Sequence, residues 1–327
     1  MSNSGKLINY GVRPAKNIER KMMRDMFLRL FPFCPLPDYQ YVGLGAKYFV
    51  DFFLFHKSLH IDKMISIEGD TNNRKRYHFN KPFDCIDIKF GHSNAVLPKI
   101  NLDSKSIIWM DYDSRFNISM LDDLSIVISK LQSGSIFCLS YNSEVYTRDE
   151  LKDSSGKLAA DAYKQKFTEI VGEDNIPQSF DERGWTRQSN FSGFLYDSII
   201  ARLNRSLQER NDRLVNDEEK LQVRQVMYFD YADGSRMETL GFVLYKVDDL
   251  KLVDVCNFEG LPFFKSGKES FTIKTPNLTQ KEIRHLSEKM PNFDISLLDE
   301  NIFSVKDVTA FSELYKYFPA FNEIEVM

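Results

Sequence analysis

Residues 40–68 read QYVGLGAKYFVDFFLFHKSLHIDKMISIE. A short apolar run, Tyr39 to Val42, leads to two glycines, Gly43 and Gly45. A stretch of helical pattern follows, and a second apolar run, Met64 to Ile67, ends on Glu68. The pattern is one strand–helix–strand unit, with its glycines at the first turn and a carboxylate at the tip of the second strand. Glycine lets a backbone turn tightly and approach a ligand closely. The helix start offers free N–H groups, and a strand-tip carboxylate can accept both hydrogen bonds of a ribose diol. The unit predicts a site for a nucleoside-containing cofactor.

Upstream, residues 1–12 read as a polar arm. A helix is predicted over 13–31, opened by Arg13-Pro14, because proline suits a first turn. Ile18, Met22, Met26 and Leu30 recur at helical spacing and face a core. Residues 1–30 carry seven Lys/Arg against two acids. The helix therefore reads as a solvated basic face, with Arg13, Lys16 and Arg20 as candidate contacts to an anion or phosphate. Pro32, Pro35 and Pro37 then lead into the first strand.

Downstream, Asp70–Phe79 is polar and basic, and Asp84–Phe90 alternates as a strand does. Gly91-His92-Ser93-Asn94 turns into a brief helix, and Ser106–Met110 is an apolar run ending in Asp111-Tyr112-Asp113. A helical stretch, Leu121–Leu131, precedes a fifth run, Ser135–Leu139, which meets Ser140-Tyr141-Asn142. Strands alternating with helices imply a mostly parallel sheet covered on both faces. Ligands bind at the C-terminal strand ends of such sheets. Gly43, Gly45, Glu68, Gly91, His92, Asp111 and Asp113 all fall there.

Residues 143–190 are charged and irregular, with a helix near Leu158–Val171, and Phe191–Asn211 reads as a long helix. Six basic and five acidic residues between Arg202 and Arg224 suggest a salt-bridged surface rather than a nucleic-acid groove. Val223–Tyr231 and Met237–Lys246 read as a hairpin, because Asp233-Gly234 suits a turn that needs positive φ. Thr279 and Glu282 form a capping-box pattern in a tail that also offers a strand at Ser270–Lys274 and a helix at Ser304–Tyr317. The expected division is an α/β domain over 1–260 and a small α-rich module over 261–327.

A hydrophobic share of 43% and an aromatic share of 13% suit a well-filled core, and a net charge of −4 offers no global basic field. Cys34, Cys85, Cys138 and Cys256 show no metal-ligand spacing and read as reduced thiols. His56 and His60 share a helix face but lack a third ligand in the sequence, so no metal site is assigned. With no signal-like or membrane-length apolar stretch, the expectation is a soluble, cytoplasmic protein.

Over residues 13–247 the chain resembles the class I S-adenosylmethionine-dependent methyltransferases. The resemblance rests on the leading helix, the Gly43-Leu44-Gly45 turn, Glu68, Gly91-His92-Ser93, Asp111-Tyr112-Asp113 and the closing hairpin. It implies a doubly wound, mostly parallel seven-stranded sheet closed by an antiparallel hairpin, and S-adenosylmethionine as cofactor. It also implies that Gly43 and Gly45 pass the methionine part and that Glu68 takes the ribose hydroxyls. Gly91, His92 and Ser93 would lie by the adenine, and Asp111 at the methyl-transfer mouth. The first motif lacks the family's preceding acid and third glycine, and His92 stands where an acid often follows the third strand. The Asp/Asn-Pro-Pro-aromatic motif of amino-methylating members is missing, so an oxygen, small-molecule or phosphate-bearing acceptor is favoured over a base nitrogen.

Asp111 and Asp113 are the candidate catalytic pair, as base and orienting group or as ligands of a divalent cation. The structural alternative is that one of them caps the next helix. Arg13, Lys16, Tyr112, Tyr141 and Asn142 are candidate acceptor contacts. Two other readings stay open: a catalytically silent binding or sensor subunit acting with a protein partner, and a nicotinamide-dependent oxidoreductase. The latter normally places a third glycine where Tyr48 stands. Nucleic acid could bind only through the basic first helix, a homo-oligomer is compatible with the sequence, and the divergent motif fits a specialised bacterial protein.

Overall fold

The sheet grows from β1 (Gln40–Leu44), α2 (Val50–Leu59) and β2 (Lys63–Glu68). The computed structural model describes residues 13–178, 180, 181, 184, 185, 187–294, 299 and 301–319, so the expected polar arm at 1–12 lies outside the described residues. Strands β3 (Ile86–Phe90), β4 (Ser106–Arg115) and β5 (Ser135–Asn142) add in parallel, β3 outside β2 and β4–β5 beyond β1. The hairpin of β6 (Leu221–Ala232) and β7 (Arg236–Lys246) closes the sheet, with β7 antiparallel to β5.

The doubly wound sheet and closing hairpin are as expected, with one strand more than the seven anticipated. Strand β8 (Phe271–Thr272) pairs in parallel with β6, giving the order β3-β2-β1-β4-β5-β7-β6-β8. The tail thus contributes to the main sheet before it turns helical. Helices α9 (Gln280–Ser287) and α10 (Val305–Leu314) bury Leu286, Phe303, Val308 and Phe311 together, while Leu314 reaches the main core. The capping box at Thr279 and Glu282 opens α9 as read.

Side chains alternate across a strand, and the core divides accordingly. Ile107 and Trp109 pack with α1 (Pro14–Leu28) and α2, through Ile18, Met22 and Phe55. Ile108 and Met110 pack on the other face with α5 (Ile118–Lys130) and α7 (Gln188–Asn211), through Leu124, Val127 and Ile199. Arg202 pairs with Asp122, and Arg210 donates to the Ile128 and Leu131 carbonyls at the end of α5. The salt-bridged surface is real, and part of it ties two helices together.

Three local readings change. Gly43 lies inside β1 rather than in the turn. Strand β4 continues past Met110 to Arg115, with irregular pairing between Asp111 and Arg115. Helix α1 is no solvated face, since Lys16, Glu19 and Arg20 are buried. Residues 16, 19 and 20 share the side that carries the apolar stripe, which lies over polar strand ends able to satisfy their charges.

The start of α1 depends on the hairpin tip. Arg13 occupies the N-cap position and its side chain makes no capping bond. Asp233, 217 positions away in the β6–β7 turn, accepts the Lys16 backbone N–H at 3.0 Å. A carboxylate there satisfies one orphan donor and complements the helix dipole. Asp233→Ala is therefore expected to lower the unfolding free energy by about 1 kcal/mol in urea titrations. An unchanged midpoint would show that the contact carries no stability.

Candidate functional site

The turn after β1 and the tip of β2 meet. Gly45 donates its N–H to the Ile67 carbonyl at 2.7 Å, and Gly91, just beyond β3, donates to the Glu68 carbonyl at 3.0 Å. Glu68 is buried. Its Oε1 accepts the Asp70 N–H at 2.9 Å, while its Oε2 is buried without a hydrogen bond. The neighbouring Ser66 Oγ is in the same condition. A Cβ at Gly45 would stand 2.2 Å from Ser66 Oγ and 3.3 Å from Glu68 Oε2, so only a residue without a side chain can pack this closely on these oxygens. Burial pushes the Glu68 carboxyl up to about 7, and the Asp70 N–H and the nearby Tyr77 hydroxyl oppose it without reversing it. Unsatisfied buried oxygens are costly and call for a partner. Two of them lie side by side against the backbone turn at Gly45.

Beyond β3, Gly91 has a φ of +148°, a conformation that favours glycine, and His92 stands at the N-cap position of the short helix α4 (Ser93–Val96) without a side-chain capping bond. The Ser93 hydroxyl donates to Asp123 Oδ2, as does the Tyr112 hydroxyl at 2.5 Å. The other Asp123 oxygen is buried without a hydrogen bond, and burial pushes this carboxyl up against the pull of Ser93 and Tyr112. Sequence reasoning missed Asp123. The signal was present, because an acid among Met120, Leu121, Leu124 and Val127 interrupts the apolar face of α5.

Asp111 lies at the mouth of a second polar cluster. Its Oδ1 is 2.6 Å from the Lys16 ammonium, which also pairs with Glu19 at 2.7 Å and donates to the Tyr231 hydroxyl at 3.0 Å. That ammonium sits 4.5 Å from the centre of the Trp109 ring. Tyr231 and Thr239 donate to the two oxygens of Glu19. Thr239 also shares a bond with Ser140, to which the Trp109 indole donates at 2.8 Å. The Asp111 side chain is 23% exposed and that of Lys16 only 5%, so Asp111 is the solvent-facing end of the cluster.

Asp51, in the first turn of α2, belongs to the same region. Tyr41 donates to its Oδ2 at 2.5 Å. Burial raises the Asp51 carboxyl, and the charge of Arg20 and the Tyr41 bond act against it. Gly43 serves this contact. A Cβ on it would lie 2.7 Å from the Tyr41 hydroxyl, so the missing side chain gives Tyr41 its path to Asp51. The backbone enters α2 through Phe49, whose φ of +48° is unusual for an aromatic residue and is held by complete burial against Phe52.

The remaining candidates do not converge on one place. Asp113 is exposed on the irregular end of β4. Tyr141 is fully buried and donates to Glu238, as does Tyr228. Asn142 accepts the Glu144 N–H at 2.8 Å. Lys16 and Asp111 are brought together, whereas Tyr112 turns to Asp123. Asp111 is committed to Lys16, and among the described residues the single grouping of three metal-ligand side chains lies elsewhere, at His56, Asp62 and Cys85. Lys16→Met would leave the buried Glu19 carboxylate and the partly exposed Asp111 carboxylate without their shared cation. It is expected to cost about 3–5 kcal/mol in urea unfolding, and a cost near zero would show that the cluster is not a buried ion network.

A family model described as "Putative O-methyltransferase" matches residues 8–326. No match is found among curated proteins. Among solved structures, the O-methyltransferase TomG from Streptomyces achromogenes, in complex with SAM, aligns over 69% of this chain and 80% of its own, at 9% identity and a TM-score of 0.37. An O-methyltransferase from Bacillus cereus, in complex with SAH, aligns over 73% and 86%, at 12% identity and a TM-score of 0.37. Trm1 from Pyrococcus horikoshii, with S-adenosyl-L-methionine, aligns over 70% and 56%, at 9% identity and a TM-score of 0.39. The family match spans almost the entire sequence, and the chain belongs to this O-methyltransferase family.

Proposed function

We propose that the protein binds S-adenosylmethionine at the strand-tip cradle of Gly45, Ser66 and Glu68 and transfers its methyl group to the hydroxyl of a small acceptor presented at Asp111. The observation that carries this reading is the buried, unbonded Oε2 of Glu68 beside a turn where only glycine fits. When bound, S-adenosylmethionine supplies an electrophilic methyl group. Glu68, ionised, accepts the ribose hydroxyls, and Gly91, His92 and Ser93 border the adenine side. Methyl transfer asks for alignment, with a base only if the nucleophile keeps its proton. Asp111 orients the acceptor hydroxyl and takes its proton, and Lys16 holds that carboxylate from inside the fold.

The family description supports an oxygen acceptor. A small acceptor fits better than one recognised through several phosphates. Lys16 is committed to Asp111 and Glu19, and the charge of Arg20 acts on Asp51, so two of the three cations read as phosphate contacts are engaged inside the fold. No divalent cation is needed in this scheme.

Labelled methyl transfer from S-adenosylmethionine into fractionated cell extract tests the reading. Label is expected in the low-molecular-mass fraction, and Asp111→Asn is expected to slow transfer by at least about 100-fold. Label confined to RNA or protein would contradict a small acceptor.

Glu68 also predicts a pH dependence. Its folded carboxyl titrates at about 7 against an ordinary 4.5, so the fold holds a proton that the unfolded chain releases. Stability should therefore fall as pH rises from about 4.5 to 7, by on the order of 3 kcal/mol at most, and Glu68→Gln should abolish that slope. Affinity for S-adenosylmethionine should move the other way, rising through pH 7 as Glu68 ionises. Parallel pH profiles for wild type and Glu68→Gln would refute both statements.

A further inference from the structure

At the opposite end of the sheet from the cradle, three metal-ligand side chains come together. His56 stands in the last turn of α2, Asp62 in the connection to β2, and Cys85 immediately before β3. Their ligand atoms all lie within 4.8 Å of one another. His56 Nδ1 is 3.6 Å from Cys85 Sγ and 3.2 Å from Asp62 Oδ1. A tetrahedral zinc ion bonds sulfur at about 2.3 Å and nitrogen or oxygen at about 2.0–2.1 Å, which sets sulfur and nitrogen about 3.5 Å apart and nitrogen and oxygen about 3.3 Å apart. Both measured edges agree with that tetrahedron.

We propose that His56, Asp62 and Cys85 form a zinc site that staples the end of α2 to the entry of β3, with solvent completing the coordination. The charges suit the ion: one thiolate and one carboxylate neutralise a dication beside a neutral imidazole. The ligand atoms are reached from solvent through Asp62, whose side chain is 77% exposed. The imidazole is oriented by Phe83, with ring centres 4.2 Å apart, and its Nδ1 points at the Ile61 carbonyl 3.0 Å away. Zinc would take that nitrogen's lone pair, leaving the ring proton on Nε2. His60, the partner suggested by spacing, instead ends α2 in a left-handed conformation with φ +58° and lies outside the group. The third ligand stands just before β3, 29 positions away from His56, so the helical spacing could not show it. The position suits a structural role, because ligand chemistry in such sheets belongs at the other strand ends.

The metal-free alternative is a histidine whose Nδ1–H simply donates to Ile61, with Asp62 and Cys85 as neighbours. The untagged full chain, purified without chelator, decides between them by zinc content and by cobalt substitution. Expected are one zinc per chain and, with cobalt, a thiolate-to-metal charge-transfer band that Cys85→Ser abolishes. Asp62→Asn replaces an exposed side chain and leaves folding intact by circular dichroism. It should weaken cobalt binding more than about tenfold, a loss already typical of removing an outer-shell partner. A folded wild-type chain that takes up neither metal overturns the proposal, and so does a cobalt–thiolate band that survives Cys85→Ser.

Discussion

One buried ammonium organises this molecule. Lys16 sits between Asp111 and Glu19, donates to Tyr231 and lies over Trp109, so it joins α1 to β4 and β6. Through Glu19 and Thr239 the cluster continues into β7, and through Ser140 into β5. Burying such charges costs several kcal/mol per ion and is tolerated only when each finds partners. Here the partners come from α1 itself, from β4 and from β6, and all but the Glu19 pair exist only once helix, parallel strands and closing hairpin are assembled. The cluster thus helps to specify the position of α1, and the Asp233 contact at its first turn adds a second anchor to the hairpin. The same arrangement holds Asp111 at the strand ends with its carboxylate reaching toward solvent.

The second constraint lies beside the first. Gly45 and Glu68 are 23 positions apart in sequence and touch because β1 and β2 pair with Leu44 opposite Ile67. That register places a bare turn against a carboxylate that the fold keeps dry and incompletely bonded. An oxygen left in this condition costs stability, and on the proposed reading ribose hydroxyls would satisfy it. The two glycines, alike in sequence, serve different ends. Gly45 lets the turn pack on Ser66 and Glu68, and Gly43 clears the route of Tyr41 to Asp51.

The framework was legible because its strands are apolar on both faces, its helices show their stripe, and Asp233-Gly234 and the Thr279–Glu282 box carry local chemistry. Glu68 and Gly45 could be placed because their positions follow from strand ends alone, whereas Gly43 falls inside β1. What escaped depends on partners far along the chain. Lys16, Glu19 and Arg20 look solvated until Asp111, Thr239 and Asp51 are brought beneath them. The hydroxyls of Ser93 and Tyr112 meet at Asp123, 30 and 11 positions on, and Tyr141 turns to Glu238. The eighth strand is two residues long, too short to leave a period of its own. The length of β4 was hidden because Asp111-Tyr112-Asp113 is polar and reads as a loop.

The central claim is that the Gly45–Ser66–Glu68 cradle holds the nucleoside of S-adenosylmethionine. Calorimetric titration of the full chain with S-adenosylmethionine, its demethylated product and NAD, repeated on Glu68→Gln, tests it most directly. The account predicts binding of the first two ligands but not of NAD, and a marked loss in the variant. A correctly folded wild-type protein that binds neither adenosyl ligand would contradict it, as would undiminished binding after Glu68→Gln.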